Sequence, residues 1–202
     1  HLTNGRNPGG MAVGCDASMD AGRSRRNLRV GCDPCEPDLS ALTMPLHRNV
    51  LVASLGLAPQ VLTETIYALA VVREPTFVPT DIRILTTAAG RERAIANLLE
   101  GPSPQLKALA DAYNLGALSQ ALKPENIHVA SGIDGPLDDI GSAEDSAAVA
   151  DLAATLVRDA TADPDATVHV SIAGGRKTMG FLLGATLSLF GRPQDSLSHV
   201  LV

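Results

Sequence analysis

From residue 48 onward the chain repeats one pattern. A short apolar run stops on a small residue, glycine follows within a few positions, and apolar residues at helical spacing come next. Residues 49–54 (NVLVAS), 82–87 (IRILTT), 126–130 (NIHVA) and 167–171 (TVHVS) are four such runs, and 199–202 (HVLV) reads as a fifth. Runs that stay largely apolar suit strands covered on both faces. Helices are expected between them. One opens at Pro59, a residue that suits a first helical turn, and carries Val61, Leu62, Thr65, Ile66, Leu69 and Ala70 at helical spacing; the others fall near 91–100, 104–113, 143–160 and 177–190. Strands alternating with helices predict a Rossmann-like α/β domain, a parallel sheet with helices on both faces. No fixed-period repeat points elsewhere.

The first 43 residues lack that pattern. They hold Cys15, Cys32 and Cys35, the basic cluster Arg23-Ser24-Arg25-Arg26 and five acids that offset it. Residues 1–43 are expected to be a disordered or weakly ordered tail ahead of a folded domain at 44–202. The chain opens on His1, and Met44 reads as the start of the folded unit. Cys32-x-x-Cys35 has the spacing of half a zinc site, but no second pair completes it, so no metal is expected. From residue 49 on, 10 Lys and Arg face 17 Asp and Glu, which argues against a general binder of duplex DNA. Aromatic residues make up only 2% of the chain, too few for a base-stacking platform. No run of about 18 apolar residues offers a membrane helix, and the start lacks a secretory pattern. A cytoplasmic protein is the expectation.

Parallel sheets bind ligands beyond the carboxyl ends of their strands, where the strand order reverses. That places Ser54, Gly56, Thr86, Thr87, Ser131 and Ser171 on one rim. The richest stretch there is Ser171-Ile172-Ala173-Gly174-Gly175-Arg176-Lys177-Thr178-Met179-Gly180. Paired glycines let backbone N–H groups approach an anion without Cβ interference. A helix starting directly afterwards aims its amides and positive dipole end at the same place. Arg176 and Lys177 add charge and Thr178 a hydroxyl. This is neither a P-loop, which needs glycine directly before the lysine, nor a dinucleotide fingerprint. A phosphate site is the inference; a glycine-rich turn with two exposed bases is the plainer alternative.

That stretch, with 49–56 and 188–202, resembles the CRISPR-associated Rossmann-fold (CARF) proteins of type III systems, most closely the small ring-nuclease-like group. The resemblance covers about residues 48–202. It implies a C2 homodimer that binds a cyclic tetra- or hexa-adenylate messenger, with the same loop presented twice to a symmetric ring. Some members only sense the ring and others cleave it. Cleavage would proceed by in-line attack of a ribose 2′-OH, leaving a 2′,3′-cyclic phosphate, with no cofactor. Lys177 would stabilise the charged transition state and Ser54 would position ribose or phosphate. Gly56, Gln60, Thr86, Thr87, Ser131, Ser171, Gly174, Gly175, Arg176 and Thr178 are the candidate ligand contacts, with Arg176 equally suited to a salt bridge or a subunit contact. The family runs further past the last strand, so the C-terminus reads as clipped. The alternatives are a non-catalytic sensor that controls a partner or effector module, and an unrelated nucleotide-binding Rossmann-like protein.

Three further features carry less. His128, His169 and His199 alternate with apolar residues and are expected to face a covered layer. Asp138-Asp139 reads as a solvated charge pair at a helix start. The apolar helix around Phe181–Phe190, with Gly184 and Ala185, reads as core or dimer interface, being too short for a membrane.

Overall fold

The computed structural model describes residues 47–199. The expected tail, its three cysteines, Met44 and residues 200–202 lie outside them. Among the described residues seven strands form: β1 (Arg48–Ser54), β2 (Asp81–Thr86), β3 (Ile127–Val129), a small hairpin of β4 (Ser131–Gly132) and β5 (Gly135–Pro136), then β6 (Ala166–Ser171) and β7 (Ser196–Ser198). Five α-helices alternate with them: α1 (Gln60–Tyr67), α2 (Ala88–Ala94), α3 (Gln105–Tyr113), α4 (Ala143–Thr161) and α5 (Lys177–Phe190). A π turn extends α1 over Ala68–Val72 and another extends α2 over Ile95–Leu99.

The main sheet has five strands in the order β3-β2-β1-β6-β7, and every pair is parallel. The expected Rossmann-like parallel sheet is therefore observed. The order reverses between β1 and β6, which fixes the crevice at the sheet's centre.

Strand alternation sorts the core into two layers. Leu51, Ala53, Ile82, Ile84 and Ile127 pack with Leu62 and Ile66 of α1, Ala94 of α2 and Leu106 of α3. Val50, Val52, Val168 and Val170 pack on the other side with Val149, Ala153, Leu156 and Val157 of α4 and Met179 and Leu183 of α5. The α4 stripe recurs every three or four residues, so one face stays buried from Val149 to Ala160. Its start is fixed by a capping box: Ser142 accepts from the Asp145 amide and Asp145 accepts from the Ser142 amide. Thr87 does not end β2; it caps α2, its hydroxyl accepting from the Gly90 amide at 3.3 Å.

The fifth strand corrects the sequence expectation. It occupies Ser196–Ser198, ahead of the expected run, and His199, the first residue of that run, is exposed coil; 200–202 lie outside the described residues. Two contacts draw it forward. Asp195 accepts from the Val168 amide and from Arg192, which ties the turn to β6. The hydroxyls of Ser196 and Ser198 lie 2.8 and 2.7 Å from Nδ1 and Nε2 of His169. A neutral imidazole offers one donor and one acceptor, and a hydroxyl can answer either. His169 is 2% exposed beneath Phe77. Burial, with the Arg73 charge beside it, pushes its pKa down to about 4. An edge strand gripped through polar groups has no apolar signature.

Candidate functional site

Because β1 and β6 are neighbours in register, their outgoing loops leave side by side: Leu55-Gly56-Leu57 after β1 and Ile172 to Arg176 after β6. The loops touch backbone to backbone. A Cβ on Gly174 would stand 2.7 Å from the Ser54 carbonyl oxygen, and one on Gly56 would stand 3.2 Å from Gly175 Cα. Gly175 takes φ +78°, the left-handed region that costs L-residues roughly 1–2 kcal/mol. Glycine at these positions is a packing requirement. The junction turns the chain into α5, whose opening amides, at Lys177 and Thr178, have no preceding helical carbonyl to bond.

Three predicted hydroxyls lie beneath this junction rather than on it. Ser54 is 2% exposed and donates to the Gly174 carbonyl at 2.7 Å. Thr86 is buried and donates to the Leu55 carbonyl at 2.8 Å. Ser171 is buried, 3.4 Å from the Thr65 hydroxyl. Ser54 and Thr86 thus hold the carbonyls of the two loops.

A cavity of about 440 Å³ opens over the junction. Of the predicted residues, Gly56, Thr87, Gly175 and Arg176 line it. Lys177 is exposed at the start of α5 and makes no ion pair among the described residues. Gly174 and Thr178 are half-buried, while Gln60 and Ser131 are exposed and outside the cavity lining. The sequence reading missed the apolar wall of Leu55, Leu57, Ala89 and Met179.

It also misplaced Asp139. The acidic pair precedes the α4 cap, whose helix-start role belongs to Ser142 and Asp145, and Asp139 reaches Arg176 instead. The Arg176 guanidinium grips that carboxylate with two nitrogens, Nε at 2.8 Å from Oδ1 and Nη2 on Oδ2. The Ile140 amide and the Arg176 hydrogen bond together hold the Asp139 carboxyl below the usual carboxylate range. Arg176 is therefore neutralised in place, and Lys177 supplies the free charge at the helix start.

The other histidines separate. His128 is half-buried at the opposite rim, and His199 is exposed. Among the described residues no three His, Cys, Asp or Glu side chains converge as a metal site, and no helix is long and apolar enough to cross a membrane.

An all-parallel sheet with helices on both faces, its switch-point crevice floored by glycine corners and a helix N-terminus, defines a Rossmann-like domain with a site built for close backbone approach. The chain belongs to the family of CRISPR-associated protein NE0113, whose model matches residues 58–202. That membership gives it a role in CRISPR systems. No curated protein matches it.

Proposed function

We propose that this chain binds a cyclic oligoadenylate across a two-fold pair of its rims and linearises it, as its resemblance to the CARF ring nucleases implies. The observation that carries the reading is the close approach of Gly56 to Gly175, and of Gly174 to Ser54, at the switch point directly before α5. Such a corner presents amides rather than side chains to a phosphate, and the dipole of a 14-residue helix adds to them. The domain is acidic, so attraction has to be local, from Lys177 and from Arg176 once it leaves Asp139. A two-fold axis would set two Lys177 side chains and two helix ends around one ring.

The ring carries its own nucleophile, so the protein has to align rather than activate. Holding a ribose 2′-OH in line with the neighbouring phosphorus can supply several kcal/mol, about 7 or more in well-oriented cases. The 2′ oxygen bonds to phosphorus, the 5′ oxygen leaves with a proton, and a 2′,3′-cyclic phosphate remains. Lys177 stabilises the extra negative charge at the transition state. Ser54 acts through the Gly174 carbonyl it holds, as a positioning residue. The apolar wall of Leu55, Leu57 and Met179 would receive a base, and the exposed Gln60 and Ser131 would meet the ring's outer edge.

One observation favours a second reading, a sensor that holds the ring intact. Ser54 is sealed away, which leaves the rim without the serine the resemblance assigns to catalysis. Labelled cyclic tetra- and hexa-adenylate incubated with excess protein and EDTA separate the readings. Linear products ending in a cyclic phosphate are expected. Rings that stay bound and intact would establish the sensor. Indifference to rings alongside mononucleotide binding would overturn both.

A further inference from the structure

At the opposite end of the sheet the face toward α4 changes character. Leu85 of β2 joins the apolar layer, but Arg83 and His128 carry this face of β2 and β3 toward their amino ends. Their neighbours Ile82, Ile84 and Ile127 turn to the other layer. The result is a cavity of about 530 Å³ with α4 as one wall and charged groups on its floor.

Those groups are unevenly matched. The Asp81 carboxylate serves three donors: Arg48 at 2.7 Å, Arg83 at 3.3 Å and Asn126 at 3.2 Å. Arg48, closest to it, also lies 3.7 Å from Asp163. Arg83 is left with one long contact to Asp81 and another, at 3.5 Å, to the Leu156 carbonyl. Its side chain is only 17% exposed. A guanidinium has five donors, and an enclosed one held this loosely has most of them unused. Lys123 lines the same cavity and makes no ion pair among the described residues, while the nearby Asp159 is engaged by Arg158 at 3.1 Å. His128 shares the cavity, its pKa lowered by burial and then by the Arg83 charge, and its ring offers an N–H donor.

Arg48, Arg83 and Lys123 line the hollow against Asp81 and Asp159, which leaves an excess of one positive charge, with Arg83 and Lys123 the least engaged of the cations. We infer that this amino-end cavity binds a phosphate-bearing small molecule, its dianionic group seated between Arg83 and Lys123 within reach of His128. The planar fork of Arg83 suits two phosphate oxygens at once. Nothing in this inference depends on what the glycine rim binds.

The test is an NMR titration of the full chain, following the His128 ring signals, at constant ionic strength. Inorganic phosphate and adenosine monophosphate are the two arms, which separate a free phosphate site from one for phosphate esters. Saturable shifts are expected with at least one. They should persist in Lys177→Ala, weaken about tenfold in Arg83→Gln through loss of a charge-assisted contact, and weaken severalfold in Lys123→Ala. Lys123 is exposed, so its variant decides the matter if Arg83→Gln does not fold. No saturable shift, an equal shift with chloride, or a loss confined to Lys177→Ala would overturn the inference.

Discussion

At the carboxyl-end rim Gly56 meets Gly175 and Gly174 meets Ser54 and Leu55, backbone to backbone, and buried hydroxyls hold the loop carbonyls in place. At the amino-end rim of the same sheet, Asp81 gathers Arg48, Arg83 and Asn126 through side chains alone. The difference bears on how each fails. A surface made of main chain depends on the absence of a Cβ, so one substitution closes it. A surface made of charged side chains degrades contact by contact, because each pair contributes separately.

The strongest way to break the contrast is Gly174→Val. Its Cβ would stand 2.7 Å from the Ser54 carbonyl, so the β1 and β6 loops have to part. A loss of about 3 kcal/mol is expected in urea unfolding, the upper end for overpacking, and ring binding should vanish. Unfolding at the wild-type midpoint would show that the loops are not in contact.

Acidification sharpens the contrast by acting first on His169, which belongs to neither rim. The unfolded His169 imidazole takes a proton near its ordinary 6.5, whereas the folded one resists until about 4. The unfolded state therefore binds more protons as pH falls, and stability is full above the unfolded value and drops toward the folded one. Between about pH 7 and about pH 4.5 the loss should approach about 2 kcal/mol. His128 shifts in the same direction and adds to it. His169→Gln should flatten most of the slope, read from unfolding midpoints across that range.

Smaller effects separate charge from shape at the glycine rim. Lys177→Ala removes an exposed charge, so stability should move by less than about 0.5 kcal/mol. Ring affinity, by calorimetry, should fall about tenfold as a charge-assisted phosphate contact goes. Asp139→Asn has the opposite sign. It releases Arg176 from an exposed ion pair, and ring affinity should rise about threefold at low salt and less at high salt. Weaker binding in that variant would mean that Asp139 itself touches the ring.

The order of elements was legible because strand and helix periods differ and because glycine marks the strand ends. Four strands and all five helices fall within a few residues of their expected places. What stayed hidden was polar and long-range. β7 is held by serines on His169, so its residues lack an apolar run. Arg176 and Asp139 are 37 positions apart, beyond any local periodicity. Ser54, Thr86 and Ser171 were legible as polar strand ends, but spacing does not say whether a hydroxyl faces solvent or a neighbouring carbonyl.

Hydrogen exchange of the full chain with and without cyclic tetra-adenylate tests the central claim most directly. Protection is predicted at the amides of 174–178 and at Gly56, where the two corners would close on the ring. A ring that binds while those amides exchange at an unchanged rate, or that protects the Arg83 and His128 rim instead, would contradict it.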